Sequence, residues 1–212
     1  MFISADCYYE IYLKGKDEKT VGAEVEKLRR EIARLKAKME SPAYATEIHP
    51  YPSEITEISK YREYLWQALR ELSGFRDGQL SSVLTAEERS DLNFEENVPK
   101  ISTVTLNMGR FLQYKYELQL SDCCAVLSAL HIGSEPTSCD IDRGEAIAQI
   151  RELHLGEWQD SYNAERFGFT VSEPTGWKLR IDYSDNVPSK YYEGLGAFPY
   201  NFNLLCRLMG VD

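Results

Sequence analysis

One stretch limits the possible folds more than any other. It is Trp177 to Val211, W-K-L-R-I-D-Y-S-D-N-V-P-S-K-Y-Y-E-G-L-G-A-F-P-Y-N-F-N-L-L-C-R-L-M-G-V. Trp177, Leu179, Ile181 and Tyr183 fall on one face of an extended chain, and Lys178, Arg180 and Asp182 fall on the other. Alternation with period two marks a strand buried on one side. Ser184-Asp185-Asn186 supplies a polar turn, and a second arm runs over about Lys190 to Glu193. Asn201 stands where a helix N-cap belongs, before a closing helix over Phe202–Met209. Gly210 stands at its C-terminal stop.

The remainder of the chain adds a second hairpin and several helices. Cys7 to Lys14 also alternates, with Cys7, Tyr9, Ile11 and Leu13 on one face, and is expected to be a strand. After Gly15, Asp17 caps a helix over Glu18–Met39. Its apolar residues Val21, Val25, Leu28, Ile32, Leu35 and Met39 repeat at spacings of 4, 3, 4, 3 and 4. Such a stripe packs on a sheet or a neighbouring helix, or forms a seam (18–39) between two copies of the chain. His49-Pro50-Tyr51-Pro52 is a stiff connection. Ser53 opens a helix to about Leu72, with Ile58, Tyr61, Leu65, Leu69 and Leu72 inward. Thr85-Ala86-Glu87-Glu88 has the form of a capping box and starts a short third helix.

Asn93 to Pro99 is polar and acidic and is the expected boundary between sub-regions. Ile101 to Leu120 reads as a hairpin turning at Asn107-Met108-Gly109-Arg110. Ser121 to Ile132 fits either a helix or a bent apolar strand. Asp142 caps a helix to about Leu155, with Ile147, Ile150 and Leu153 inward. The fold class is therefore α+β. A mostly antiparallel sheet built from hairpins is covered by a long N-terminal helix and a short C-terminal helix. Residues 1–97 carry the N-terminal strand and helices, and 98–212 carry the two hairpins and closing helix; the two regions can also pack as one domain.

The closing region resembles a family of bacterial proteins of unknown function. The shared residues are Asp140-Ile141-Asp142, Leu153-His154-Leu155-Gly156-Glu157-Trp158, Tyr162 and Phe167-Gly168-Phe169. The ending adds Trp177-Lys178-Leu179, Ile181, Tyr183-Ser184, Gly194 and Phe198-Pro199-Tyr200-Asn201-Phe202. Members of that family end in a strand beginning at Trp, a polar turn, a second strand and G-S-N-x-[YF]-P-x-N-F before a final helix. Here Leu195 and Gly196 replace the usual Ser and Asn. The resemblance covers roughly the last 75 residues. It implies a shared fold and a bacterial cytoplasmic protein, and it implies no reaction.

Charge excludes more than it identifies. Of 212 residues, 24 are Lys or Arg and 34 are Asp or Glu, a formal net charge of −10. Phosphate-backbone binding needs clustered basic residues, so a nucleic-acid partner is not expected. No apolar run approaches the ~20 residues of a membrane helix. The opening residues lack the basic start and apolar stretch of a signal peptide. Five cysteines without a C-x-x-C argue for a reducing, cytoplasmic setting, with the thiols as small core residues.

Chemical motifs are absent: there is no P-loop, no G-x-G-x-x-G and no G-x-S-x-G. The histidines are His49, His131 and His154. The nearest approach to a ligand set is His131, Cys139, Asp140, Asp142 and His154. Asp140 and Asp142 read better as carboxylates at a helix start. No metal or other cofactor is expected. His154 with Glu157, beside Trp158, is the one candidate catalytic cluster. Tyr8, Tyr12, Tyr191, Tyr192 and Tyr200 are the candidate binding surface for a protein or peptide, against ordinary packing.

Three functions follow from these readings. The first is a non-catalytic interaction or regulatory protein. The second is a hydrolase-like enzyme using His154 and Glu157. The third is an acidic decoy that mimics nucleic acid.

Overall fold

In the computed structural model, which describes residues 2–46, 53–76, 78–167 and 174–211, the chain divides into two units, Met1–Arg89 and Ser90–Asp212. The sequence reading places its boundary at 97. Asn93–Asn97 instead belongs to a helix, so the polar stretch is a helix face and not a linker. His49-Pro50-Tyr51-Pro52 and Phe169 lie outside the described residues. Among the described residues no helix is long and apolar enough to cross a membrane.

The first unit is helical. Helix α1 (Ala5–Tyr8) is capped by Ser4 and continues as a π-helix over Tyr9–Leu13. This corrects the expected first strand. The residues that are buried are Tyr8 and Leu13, five apart, while Cys7 and Ile11 are exposed. A π-helix bonds i to i+5, so that spacing puts both side chains on one side. The Tyr8 ring stacks on Tyr64 at 4.0 Å, and its hydroxyl donates to Glu24. The tertiary ring contact, not the local alternation, decides the backbone here.

Helix α2 (Glu18–Glu40) starts at Asp17, whose side chain accepts from the Thr20 N–H. Its stripe Val21, Val25, Leu28, Ile32 and Leu35 is buried. It packs against α3 (Glu54–Gly74), so the neighbouring-helix alternative holds. A seam between two copies needs that stripe exposed, and it is at most 7% exposed. The capping box at Thr85 forms in both directions. Glu88 N donates to the Thr85 hydroxyl at 3.1 Å, and Thr85 N donates to Glu88 at 2.8 Å. Helix α4 (Ala86–Asn97) begins there and runs on into the second unit.

The second unit carries one seven-stranded sheet among the described residues, in the order β4-β3-β2-β1-β6-β7-β5. The strands are β1 (Ile101–Gly109), β2 (Tyr114–Leu120), β3 (Ala125–His131), β4 (Thr137–Ile141), β5 (Ser161–Asn163), β6 (Gly176–Tyr183) and β7 (Lys190–Leu195). All pairings are antiparallel except β5 with β7. The α+β class, the mostly antiparallel sheet, the long N-terminal helix and the short closing helix are all present. The ambiguous segment at 121–132 resolves as β3. The first hairpin turns later than expected, because Met108 and Gly109 pair with Trp177 and Gly176 of β6 and so stay extended. Leu112 takes positive φ in the turn.

The hairpin β6–β7 follows the alternation. Trp177, Leu179 and Ile181 are at most 1% exposed. Gly194 lies directly opposite Trp177. A Cβ there would fall 2.2 Å from the indole nitrogen, so only glycine admits the ring. The indole N–H donates to the Ala197 carbonyl at 2.9 Å. Helix α5 (Arg143–Glu152) is capped by Asp142 as expected. Helix α6 (Phe202–Leu208) covers the sheet core with Phe202, Leu205 and Leu208. It ends in a Schellman motif: Val211 N donates to Cys206 O, Gly210 N to Arg207 O, and Gly210 has φ 63°.

Two expectations need correction. Asn201 precedes α6 but makes no side-chain cap. It is 1% exposed, accepts from the Trp158 indole at 3.0 Å and donates to the Leu153 carbonyl at 2.7 Å. It therefore joins two loops in the core. The thiols are not core residues either: Cys7, Cys123, Cys124 and Cys139 are exposed, and Cys206 is partly buried.

Candidate active site

The site is built where α5 ends against α4. Leu153 closes α5, and His154 follows in the left-handed region at φ 45°, ψ 48°. A non-glycine residue holds that conformation only where its surroundings fix it. Three contacts do so. Asn201 bonds the Leu153 carbonyl, and the buried Tyr192 hydroxyl donates to the Leu155 carbonyl at 2.7 Å. Gly156 lies so near α4 that a Cβ would come within 2.3 Å of the Asp91 Cα and 2.5 Å of the Ser90 carbonyl. Only glycine permits that approach.

The result is a histidine placed against a buried carboxylate. His154 Nδ1 and Asp91 Oδ2 are 2.8 Å apart. The Asp91 side chain is 9% exposed and that of His154 26%. The second Asp91 oxygen, Oδ1, is buried and has no hydrogen-bond partner. Glu157 completes the group: one ligand-type atom from each of Asp91, His154 and Glu157 lies within 4.8 Å of the others. The Tyr200 hydroxyl is 3.5 Å from Glu157 Oε2. Burial raises the pKa of the neighbouring Glu95, as does Asp91, against the lowering effect of His154 and Arg151.

Ser90 and Gly156, which flank the pair, also line a cavity of about 770 Å³. Its other walls include Trp158, Lys178, Arg180 and Lys190. Lys178 faces Glu193 at 3.4 Å, and Arg180 pairs with Asp182 at 2.8 Å. The Lys190 ammonium sits 5.4 Å from the Phe94 ring centre. Burial lowers its pKa, against the opposing pull of Asp91 and Asp160. The cavity is thus lined with polar and charged groups and lies beside the His154 turn.

Both candidate catalytic residues, His154 and Glu157, belong to this group. Asp91 was missed. It shares a helical face with Phe94 and Val98, both at most 1% exposed, so an inward face was readable at spacings of 3 and 4. The tyrosine surface is not assembled: Tyr8, Tyr192 and Tyr200 are buried, while Tyr12 and Tyr191 are 44% and 58% exposed. Tyr8 packs on Tyr12 and Tyr64, Tyr192 packs on Trp158 and donates to the Leu155 carbonyl, the Tyr191 ring lies under Arg180, and the Tyr200 hydroxyl faces Glu157. His131 sits at the end of β3 against Tyr114 and Tyr116. Among the described residues only Asp91, His154 and Glu157 group as possible metal ligands. A scan against protein-family models finds no matching family, and searches of curated proteins and of solved structures find no match.

Proposed function

We propose that the unit Ser90–Asp212 is a hydrolase-like enzyme whose reaction centre is His154. The observation that carries this reading is the 2.8 Å contact between His154 Nδ1 and the buried Asp91 carboxylate, close in sequence to Ser90 and Gly156, which line the cavity. An aspartate that accepts from Nδ1–H fixes the tautomer and leaves Nε2 as the proton acceptor. In the proposed step Nε2 takes a proton from water, and the hydroxide bonds to an electrophilic centre in the cavity. The leaving group then recovers the proton from Nε2. Lys190 gives the cavity an ammonium for an anionic group on the substrate.

The test is a panel of chromogenic carboxylic and phosphate esters with wild type and His154→Asn. Asparagine tolerates the left-handed backbone, so the variant keeps its fold. Loss of turnover by a factor of about 100 or more is expected for removal of a general base. Equal turnover in both proteins overturns the reading.

A second reading, a protein-interaction module, is supported by a different observation. Phe111 and Ile132 are 81% and 82% exposed, and Leu130 is 45% exposed. They stand at neighbouring turns of the sheet, where Ile132 N bonds to the Gln113 carbonyl. Concentration-dependent association in light scattering that disappears in Phe111→Ser/Ile132→Ser would favour this reading; scattering that the double variant leaves unchanged would count against it. The decoy reading gains no comparable support. Glu24, Glu26, Glu31, Glu54, Glu87 and Glu88 are each engaged by Lys or Arg of the same chain.

A further inference from the structure

We infer that Asp91, His154 and Glu157 bind a divalent cation of the zinc–manganese class. The inference uses the cluster on which the hydrolase reading rests, but not its chemistry. Ligand atoms around one such ion, at about 2.1 Å from it, stand roughly 3 to 4 Å apart. The three side chains already offer atoms within 4.8 Å of one another. The 2.8 Å separation of His154 Nδ1 and Asp91 Oδ2 is close to that of two adjacent ligands. Without the cation a proton lies between the two atoms; a bound ion stands to one side of that line, in reach of both, and the proton leaves to solvent.

Asp91 supplies the second, independent observation. Its side chain is nine-tenths buried, and Oδ1 has no donor. A buried carboxylate oxygen without a partner is costly and calls for an explanation. A cation bound to the carboxylate satisfies it. The site is also rigid, because the His154–Glu157 turn is held by Asn201, by Tyr192 and by the close approach of Gly156 to α4. Fixed backbones make precise ligand sites. One imidazole with two carboxylates is a mixed donor set. Calcium and magnesium prefer oxygen alone, and soft ions prefer sulfur, so zinc or manganese fits best. Three protein ligands leave a coordination position for water, as in catalytic and not closed structural sites.

The test is titration of the full chain, after dialysis against chelating resin, with Mn²⁺ followed by electron paramagnetic resonance and with Zn²⁺ by calorimetry. Wild type is expected to bind one equivalent. Glu157→Gln, at a partly exposed position, and Asp91→Asn, checked for folding by circular dichroism, are each expected to weaken binding roughly tenfold or more. His131→Ala should bind as wild type does. No saturable binding up to millimolar metal overturns the inference, as does binding that both variants retain. The hydrolase reading fails separately. Chelator-insensitive turnover that depends on His154, without metal binding, keeps the enzyme and removes the cation; metal binding with no turnover does the reverse.

Discussion

Each unit buries a carboxylate, and the two are treated differently. In the first unit Glu54 is 3% exposed. Its Oε1 meets Lys38 Nζ at 2.7 Å, and its Oε2 accepts from the Tyr44 hydroxyl at 2.9 Å. It stands in the first turn of a regular helix, where negative charge is favoured. In the second unit Asp91 has one oxygen bonded to His154 and the other unbonded, beside a residue held at positive φ. Complete satisfaction marks a structural charge. Incomplete satisfaction together with local strain marks a place where the chain departs from its own folding rules, and such places tend to be functional.

The largest effects should come from the close packing of the second unit. Trp177→Ala removes a ring that is 1% exposed and its bond to Ala197. Urea unfolding should show a loss of about 3–5 kcal/mol for a buried aromatic. Gly156→Ala forces a Cβ into the α4 backbone and should cost about 3 kcal/mol through overpacking. A much smaller cost would show that the turn can retreat from α4 and that the His154 geometry is not imposed.

The two carboxylates then test the comparison directly. Glu54→Gln should destabilise by about 2 kcal/mol, because charge-assisted bonds are lost in a buried place. Asp91→Asn should leave stability unchanged or raise it by about 1 kcal/mol, as substitutions at functional sites often do. Equal losses at both positions would erase the distinction.

Acid tests the first of the two, Glu54. Burial opposes the charged form of Glu54, but hydrogen bonds from Lys38, the backbone and Tyr44 prevail and bring its pKa down from 4.5 to about 2. A carboxyl depressed in the fold stabilises it above the unfolded pKa. That contribution is lost as pH falls from about 4.5 towards 2. Melting curves of wild type and Glu54→Gln should therefore converge over that range. The smallest effect expected is Thr85→Ala, about 1 kcal/mol for a lost helix cap.

Much of this architecture was readable where one local rule acted alone. The α2 stripe, the Thr85 capping box and the alternation from Trp177 were of that kind. The rule failed where a distant contact outweighed it. Tyr8 alternates with its neighbours like a strand residue, but the ring of Tyr64 draws it into a helix. Strand β5 has three residues and pairs in parallel with β7, too short to leave a pattern. Two of the three site residues, His154 and Glu157, were visible because both sit in one short motif. Asp91 was not, because it lies 63 residues from His154 and looked like one acid among many.

The strand order has a consequence for how the protein is assembled. Strands β1 to β4 join neighbours in sequence, but the second partner of β1 is β6, which arrives only after α5 and the Trp158 segment have been laid down. Pairings between distant segments are the slow step in reaching the native state. Refolding of the second unit should be limited by the docking of β6 on β1. The cleft walls supplied by Lys178, Arg180 and Lys190 come from that late hairpin, so a newly made chain holds no complete cleft until its final strands have zipped into place.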